Sequence, residues 1–199
     1  MIVAGDGLKT DFFCYSRICI TFFKSAYRCV QMILSNLKRN QVFEGKETLK
    51  EIPRILEIQE ILCKVGTKLR EKDIGSERWI EPPDASELLE NHLKLECGQK
   101  RVEAKILVKE IGDYLLEHFR KWKTPVMIDD AIKAYILCGV HKSKEGTFVL
   151  LFDPHITSNV DKGDYERGFK KGVSWEKVER LFVGQKEWML AFPTTQKKI

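Results

Sequence analysis

An Asp-Pro-His triplet at the end of an apolar run is the most chemically informative feature of this sequence. The run FVLLF leads directly into Asp153, Pro154 and His155. In extended backbone, residues i and i+2 project to the same side, so Asp153 and His155 are expected to be neighbours. A carboxylate beside an imidazole can hold its tautomer and stabilise the imidazolium, which is the orienter–base half of a catalytic triad. The triplet is also an ordinary strand-to-turn junction, so catalysis requires a nucleophile as well.

A nucleophile is expected at the start of the helix predicted from Ser25 to Arg39. Four apolar residues there fall at i, i+3, i+4 and i+7 and line one helix face; they are Val30, Ile33, Leu34 and Leu37. Ser25 stands just ahead of this face, where an N-cap is expected. Cysteine peptidases place their thiol at such a position, because the helix dipole and free N–H groups lower the thiol pKa. Here the position holds a serine.

The remaining elements are predicted to form an α+β domain, with helices first and a mostly antiparallel sheet after them. Pro53 opens a second helix that Gly66 ends, and Asp84 caps a third. Further helices are predicted over residues 109–122 and 175–182, and strands over residues 100–108, 124–128, 134–141, 147–152 and 187–192. The strands 134–141 and 147–152 should form a hairpin across KSKEG. Residues 1–24 have no clear period, so the domain is placed at 25–199.

Composition narrows the class of protein. The 199 residues, 43% of them hydrophobic, suit one globular domain. No run approaches 18 apolar residues, and Asp6, Lys9 and Asp11 lie where a secretory signal needs an apolar core. The six scattered cysteines form no CxxC pair, which favours a reducing compartment and argues against zinc or a disulfide framework. The net charge of +5 is small and dispersed, which argues against nucleic-acid binding.

Five segments, in order, resemble the ubiquitin-fold modifier-specific proteases, a papain-like cysteine peptidase family. FKSAYRCVQM is similar to the family's W-G-C-G-Y-R and Q-M segment, and it keeps Tyr27, Arg28, Gln31 and Met32. The other four segments are IPRILEIQEILCKVG, IGSERWIEPPDASELL, TPVMIDDAIKAYILCGV and LLFDPHIT. The zinc-finger ubiquitin peptidases share a similar domain, but they take their histidine from an A-H segment and have D-P-G. This chain has Tyr135 at the first position and His155 at the second, so it resembles the modifier-specific branch.

The resemblance implies a papain-like fold and a thiol peptidase that matures a ubiquitin-like modifier or releases it from conjugates. Asp153 would orient His155, which would act as base and then acid. No cofactor or metal is implied. The expected partner is the ubiquitin-fold modifier with its conjugates. The expected protein is a monomer of the cytoplasm, with the endoplasmic reticulum surface and the nucleus as alternatives.

Several departures leave catalysis open. Ser25 stands where the family has its cysteine, Glu81 replaces one glycine, and Asp129, Asp130 and Ala131 replace three more. A serine hydroxyl is not deprotonated by a site that activates a thiol. The alternative function is therefore a pseudoprotease that only binds the modifier or a partner.

Other thiols and another origin of the N-terminus also stay open. Cys14 reproduces a C-x-x-R spacing with Arg17, and Cys29 lies one turn beyond Ser25; each is an alternative nucleophile. Tyr15 is a candidate for the family's oxyanion-binding tyrosine. The irregular first 24 residues also fit a wrong exon boundary that omits a W-G-C segment.

Overall fold

The computed structural model describes residues 2–3, 24–39, 51–155, 172–184 and 186–197. The helices are α1 (Ser25–Arg39), α2 (Ile55–Lys64), α3 (Pro82–Glu87), α4 (Ala104–Lys121) and α5 (Val178–Leu181). The strands are β1 (Ile2–Val3), β2 (Leu95–Glu103), β3 (Val126–Asp129), β4 (Ala134–Ser143), β5 (Gly146–Phe152), β6 (Val173–Lys177) and β7 (Glu187–Lys197). A 3₁₀ turn (Glu71–Asp73) and a π-helical turn (Leu88–His92) complete the regular structure.

A single antiparallel sheet organises the described residues, in the strand order β2-β7-β3-β4-β5-β6, and β1 also pairs with β4. The predicted hairpin of β4 and β5 is confirmed, with Ser143 opposite Gly146 at its turn. The strand β3 lies between β4 and β7, so both of its edges are paired. Its four residues are consequently all buried.

The two faces of the sheet are covered by different helices. On one face α1, α2 and α3 pack against residues such as Met127, Ala134 and Ile136. On the other face α4 and α5 pack against residues such as Ile128 and Leu137. The side chains of alternate residues in β3 and β4 thus point into opposite cores, as the two-residue period of a strand requires.

Several predicted boundaries were wrong. The strand predicted over residues 100–108 is β2 at Leu95–Glu103, and its last predicted residues belong to α4. The predicted helix over residues 175–182 begins as β6, and only Val178–Leu181 is helical. Non-local pairing decides both cases, because β2 pairs with β7 and β6 pairs with β5.

Two predicted helix starts were also displaced. Asp84 is not the cap of α3: Glu81 is the N-cap, and its backbone N–H donates to the Asp84 carboxylate at 2.8 Å. The helix α2 begins at Ile55 with Arg54 as N-cap, so Pro53 lies just outside it. Within the described ranges, no helix combines the length and the apolar character needed to cross a membrane.

Candidate active site

Ser25 is the first residue of α1, and its side chain is fully buried. Its Oγ accepts a hydrogen bond of 3.4 Å from the backbone N–H of Ala134, the first residue of β4. The helix begins at Ser25 itself, so Ser25 is not the N-cap, and the predicted cap position is one residue too late. The bond places the start of α1 against the end of the β3–β4 hairpin.

Asp153 and His155 form the hydrogen-bonded pair that the Asp-Pro-His triplet predicts. The His155 Nδ1 and the Asp153 Oδ1 are 2.6 Å apart, and the backbone N–H of His155 donates to the same oxygen at 2.8 Å. Burial raises the pKa of Asp153, but both hydrogen bonds and the charge of His155 outweigh burial, so the pKa lies below its usual value. A carboxylate held in this way orients the imidazole and stabilises its protonated form.

Two consecutive residues of β4 connect the two parts of the site. The backbone of Ala134 contacts Ser25, and the ring of the next residue, Tyr135, packs edge-on against His155 with 5.9 Å between ring centroids. The helix start and the Asp153–His155 pair are therefore both positioned by the start of β4. Burial, followed by the charges of Asp153, Asp130 and Asp129, raises the pKa of Tyr135 to about 12, so its hydroxyl keeps its proton.

The residues that replace the family's three glycines form the turn between β3 and β4. Asp129 is fully buried and its Oδ1 accepts the Ala131 N–H at 2.6 Å. Asp130 accepts the N–H groups of Ile132 and Lys133 at 2.9 and 2.7 Å. Ala131 has a φ of +69°, a left-handed conformation that glycine adopts at little cost. The turn thus keeps a glycine-like backbone but carries two carboxylates.

The cysteines near the site have the properties of core residues. Cys29 is fully buried in α1. Burial raises the pKa of its thiol well above the usual value, and the charges of Asp129 and Asp153 raise it further. Burial also raises the pKa of Cys138 to about 12. The alternative nucleophile Cys14 and the candidate oxyanion residue Tyr15 lie outside the described residues.

A network of polar side chains, which includes Tyr27, Arg28 and Gln31, holds α1 in place. The Tyr27 hydroxyl donates to the Arg78 carbonyl at 2.7 Å. Arg28 donates to Gln31 at 2.9 Å, and Gln31 donates to the Pro53 carbonyl at 2.8 Å. These bonds tie the first turns of α1 to the start of α2 and to the loop before α3.

Gln59 is the residue of this network that the sequence did not single out. It is buried, donates to Tyr27 and to the Ser76 carbonyl, and accepts the Gly75 N–H at 2.8 Å. The available signal was its place in the E-I-Q segment, where Gln59 directly follows the buried Ile58 of α2. Gln59 supports the site without contacting its reactive groups.

Among the described residues, no group of three or more histidines, cysteines or carboxylates could hold a metal ion. The chemistry that the arrangement offers is acid–base chemistry at His155, and the start of α1 carries the hydroxyl of Ser25.

The model of peptidase family C78 matches residues 23–190, which includes the helix start, the β3–β4 turn and the Asp153–His155 pair. The chain belongs to peptidase family C78. Together with the relatives named next, this match confirms the predicted resemblance to the ubiquitin-fold modifier-specific proteases.

Named relatives agree with this assignment. The chain is 34% identical over 138 residues to "Ufm1-specific protease" of Caenorhabditis briggsae, covering 68% of this chain and 22% of that protein. It is 30% identical over 174 residues to "Probable Ufm1-specific protease" of Oryza sativa subsp. japonica, covering 84% of this chain and 26% of that protein. The chain thus spans about a quarter of the length of these relatives.

A solved structure confirms the predicted α+β, papain-like fold. The crystal structure of UfSP from C. elegans superposes with a TM-score of 0.66 at 24% identity, covering 89% of this chain and 31% of that chain. At this identity the match concerns the fold. The activity of the present chain has to be argued from its own residues.

Proposed function

We propose that this chain is a Ufm1-specific protease-like protein that recognises the C-terminal tail of a ubiquitin-fold modifier and lacks thiol catalysis at position 25. The observation that carries the proposal is the state of the site. The Asp153–His155 pair is assembled, whereas the helix start presents the buried hydroxyl of Ser25. The names of the relatives supply the modifier.

The physical reason concerns the nucleophile. A thiol at a helix start can ionise near neutral pH, whereas a serine hydroxyl cannot. A serine nucleophile therefore needs a base and an oxyanion hole that are tuned for serine. Ser25 also accepts the Ala134 N–H, which stabilises the side chain inside the core rather than in a groove. We expect the chain to bind the modifier and its conjugates as a monomer, in the cytoplasm or at the endoplasmic reticulum surface.

Calorimetry with the modifier tests this proposal. We expect the full-length modifier to bind and a modifier that lacks its last residues to lose binding by at least about tenfold, since the extended tail is the part that a peptidase groove receives. A modifier with a reporter amide after its terminal glycine should remain uncleaved. Absence of binding to both forms would contradict the proposal, as would steady cleavage of the reporter.

A second candidate is the thiol peptidase that the family resemblance implies, with a cysteine other than one at position 25. The intact Asp153–His155 pair favours it, because the pair could still take the thiol proton and return it to the leaving amine. Cys14 is the candidate thiol. The discriminating experiment is incubation with a modifier that carries an electrophilic C-terminus, followed by peptide mapping. An adduct that disappears in Cys14→Ala would establish this candidate, and an unmodified chain would exclude it.

A further inference from the structure

Asp129 lies on the same face of the sheet as α1 and beside its first residue. Asp129 of β3 is the register partner of Ala134 of β4, so both side chains lie on one face. Ala134 packs in the core that contains α1, and its N–H contacts the Ser25 Oγ. The Asp129 carboxyl is therefore enclosed between the sheet and the start of α1.

One oxygen of this carboxyl is bonded and the other is not. Oδ1 accepts the Ala131 N–H at 2.6 Å. Oδ2 is buried and, among the residues that the structure describes, has no hydrogen-bond partner. An enclosed carboxyl oxygen without a donor is poorly solvated, so its charge is felt strongly by neighbouring groups.

Charged groups surround Asp129 with mostly the same sign. Asp130 follows directly in the chain, and Glu81, the N-cap of α3, adds a second negative charge. Lys68 is the compensating charge, and it is already bonded to Glu81 at 2.7 Å and to Asp84 at 3.4 Å. Burial raises the pKa of Asp129 to about 7, with Asp130 and Glu81 adding to the shift.

Cys29 reports what this environment does to a thiol. It lies one turn into α1, on the buried face. After burial, the charges of Asp129 and Asp153 are the largest causes that raise the pKa of Cys29. Position 25 lies one turn nearer to the turn that carries Asp129, so a thiol there would meet the same charge.

We propose that Asp129 acts against the formation of a thiolate at position 25 and is a second, independent obstacle to catalysis beside Ser25. A cysteine peptidase needs a thiolate–imidazolium pair at the helix start, which the helix dipole favours. A carboxylate on the same buried face opposes the negative thiolate and offsets that advantage. The inference rests on the proposed function in one respect, since that function holds that catalysis is lost. The electrostatic effect of Asp129 on a thiol does not itself require the modifier.

The test is the titration of a thiol introduced at position 25. We compare Ser25→Cys with Ser25→Cys/Asp129→Asn by the ultraviolet absorbance of the thiolate, each measured against the matching protein with Ser25. Asn keeps the acceptor for Ala131 and removes the charge. We expect the midpoint to fall by about one to two pH units in the double variant, a shift that is read above pH 7, where the Asp129 carboxyl is ionised.

Ser25→Cys/Asp130→Asn is the matched control, because it removes one carboxylate from the same turn. Asp130 is partly exposed and bonded to two N–H groups, so its variant should shift the midpoint by less than half as much. Equal midpoints for Ser25→Cys and its Asp129→Asn double variant would overturn the proposal. Equal shifts from Asp129→Asn and Asp130→Asn would do the same, since the effect would then be one of general charge.

Two further measurements keep the outcome clear. If the Asn variant is unfolded by circular dichroism, Asp129→Gly takes its place, since it also removes the charge and adds no side chain to the core. Trypsin separates position 25 from Cys29, because Lys24 and Arg28 precede them. Alkylation can thus be mapped to each site. At about pH 9, where the Asp129 carboxyl is ionised, the rate at position 25 should rise about tenfold with Asp129→Asn. Modifier binding by the unaltered chain is measured separately, so a failure of the proposed function is seen independently.

Discussion

A buried titratable side chain lies near each end of β3, His118 of α4 before the strand and Asp129 at its last residue, and their hydrogen bonding differs. Before the strand, the His118 Nε2 lies 2.9 Å from the Thr124 Oγ1 and 3.1 Å from the Thr124 carbonyl, and Thr124 in turn donates to the Pro193 carbonyl. After the strand, Asp129 has one bonded oxygen and one without a partner among the described residues. The first end is a satisfied polar network, and the second end is not.

This difference separates a structural group from a group at a functional site. A buried network whose members are bonded stabilises one packing, whereas a buried group that lacks a donor costs stability. The unsatisfied end is the one that adjoins Ser25 and the Asp153–His155 pair. Burial lowers the pKa of His118 to about 4 and raises the pKa of Asp129 to about 7, so the two ends respond to pH in opposite directions.

Removal of the charge at Asp129 should give the largest effect. The folded-state pKa of about 7 exceeds the ordinary 3.8, so the folded chain holds a proton that the unfolded chain releases between these values. The contribution of Asp129 is present below pH 4 and is lost as the pH rises through 7. In Asp129→Asn, the free energy of unfolding relative to the unaltered chain should increase by up to about 4 kcal/mol between pH 4 and pH 8.

Urea unfolding of both proteins at a series of pH values measures this difference. A difference that stays constant from pH 4 to pH 8 would show that Asp129 ionises as freely in the folded chain as in the unfolded one.

His118→Gln should give the next largest effect, with the opposite sign. The folded-state pKa of about 4 lies below the ordinary 6.5, so the stability that the neutral ring provides is present above pH 6.5 and is lost as the pH falls toward 4. Gln keeps an N–H donor for Thr124 and cannot titrate. The stability lost through the substitution should therefore be greatest near pH 7 and should shrink by up to about 3 kcal/mol at pH 4.

The unaltered chain should consequently show a nearly flat stability between pH 4 and pH 6.5, because the two slopes oppose each other. Each single variant should reveal the slope of the remaining group. If both variants were as flat as the unaltered chain, the contrast between the two ends of β3 would not hold.

Glycine substitutions flanking β3 should give the smallest effect and the same sign at both ends. Ala131 after β3 and Lys123 before it have φ values of +69° and +56°. Ala131→Gly and Lys123→Gly should each raise the free energy of unfolding by about 0.5 to 1 kcal/mol, because glycine relieves the left-handed strain. Ala104→Gly, at the start of α4, is the control and should lower stability by up to about 1 kcal/mol. Thermal unfolding at pH 7 compares the three variants.

The sequence predicted those parts of the fold that depend on local pattern. The apolar stripe predicted α1, and its observed bounds match the predicted Ser25–Arg39. The turn KSKEG predicted the β4–β5 hairpin. The elements that were wrong depend on distant partners. Trp175 lies in β6 because it pairs with Leu150 of β5, and residues 95–99, which were not predicted as strand, are extended because they pair with β7. No local period encodes such pairing.

The site was predictable to a similar degree. The Asp153–His155 pair was predicted from the strand period, but β5 ends at Phe152 and the pair forms in the turn that follows, where the His155 N–H donates to the Asp153 carboxylate. The sequence also shows carboxylates at positions where glycines were expected. It does not show that Asp129 is fully buried, because its burial depends on elements distant in the sequence: β7 pairs with β3, and α1 packs on the face of the sheet that carries Asp129.

The start of β4 constrains how this chain can change over evolutionary time. Ala134 reaches α1 and Tyr135 reaches His155, on opposite faces of one strand. An insertion or deletion of one residue in the preceding turn would shift the register by one and exchange the two faces, so both contacts would be lost together. Substitutions in that turn leave the register unchanged. The length of the turn should therefore be far less tolerant of change than its composition, which already carries two carboxylates and an alanine.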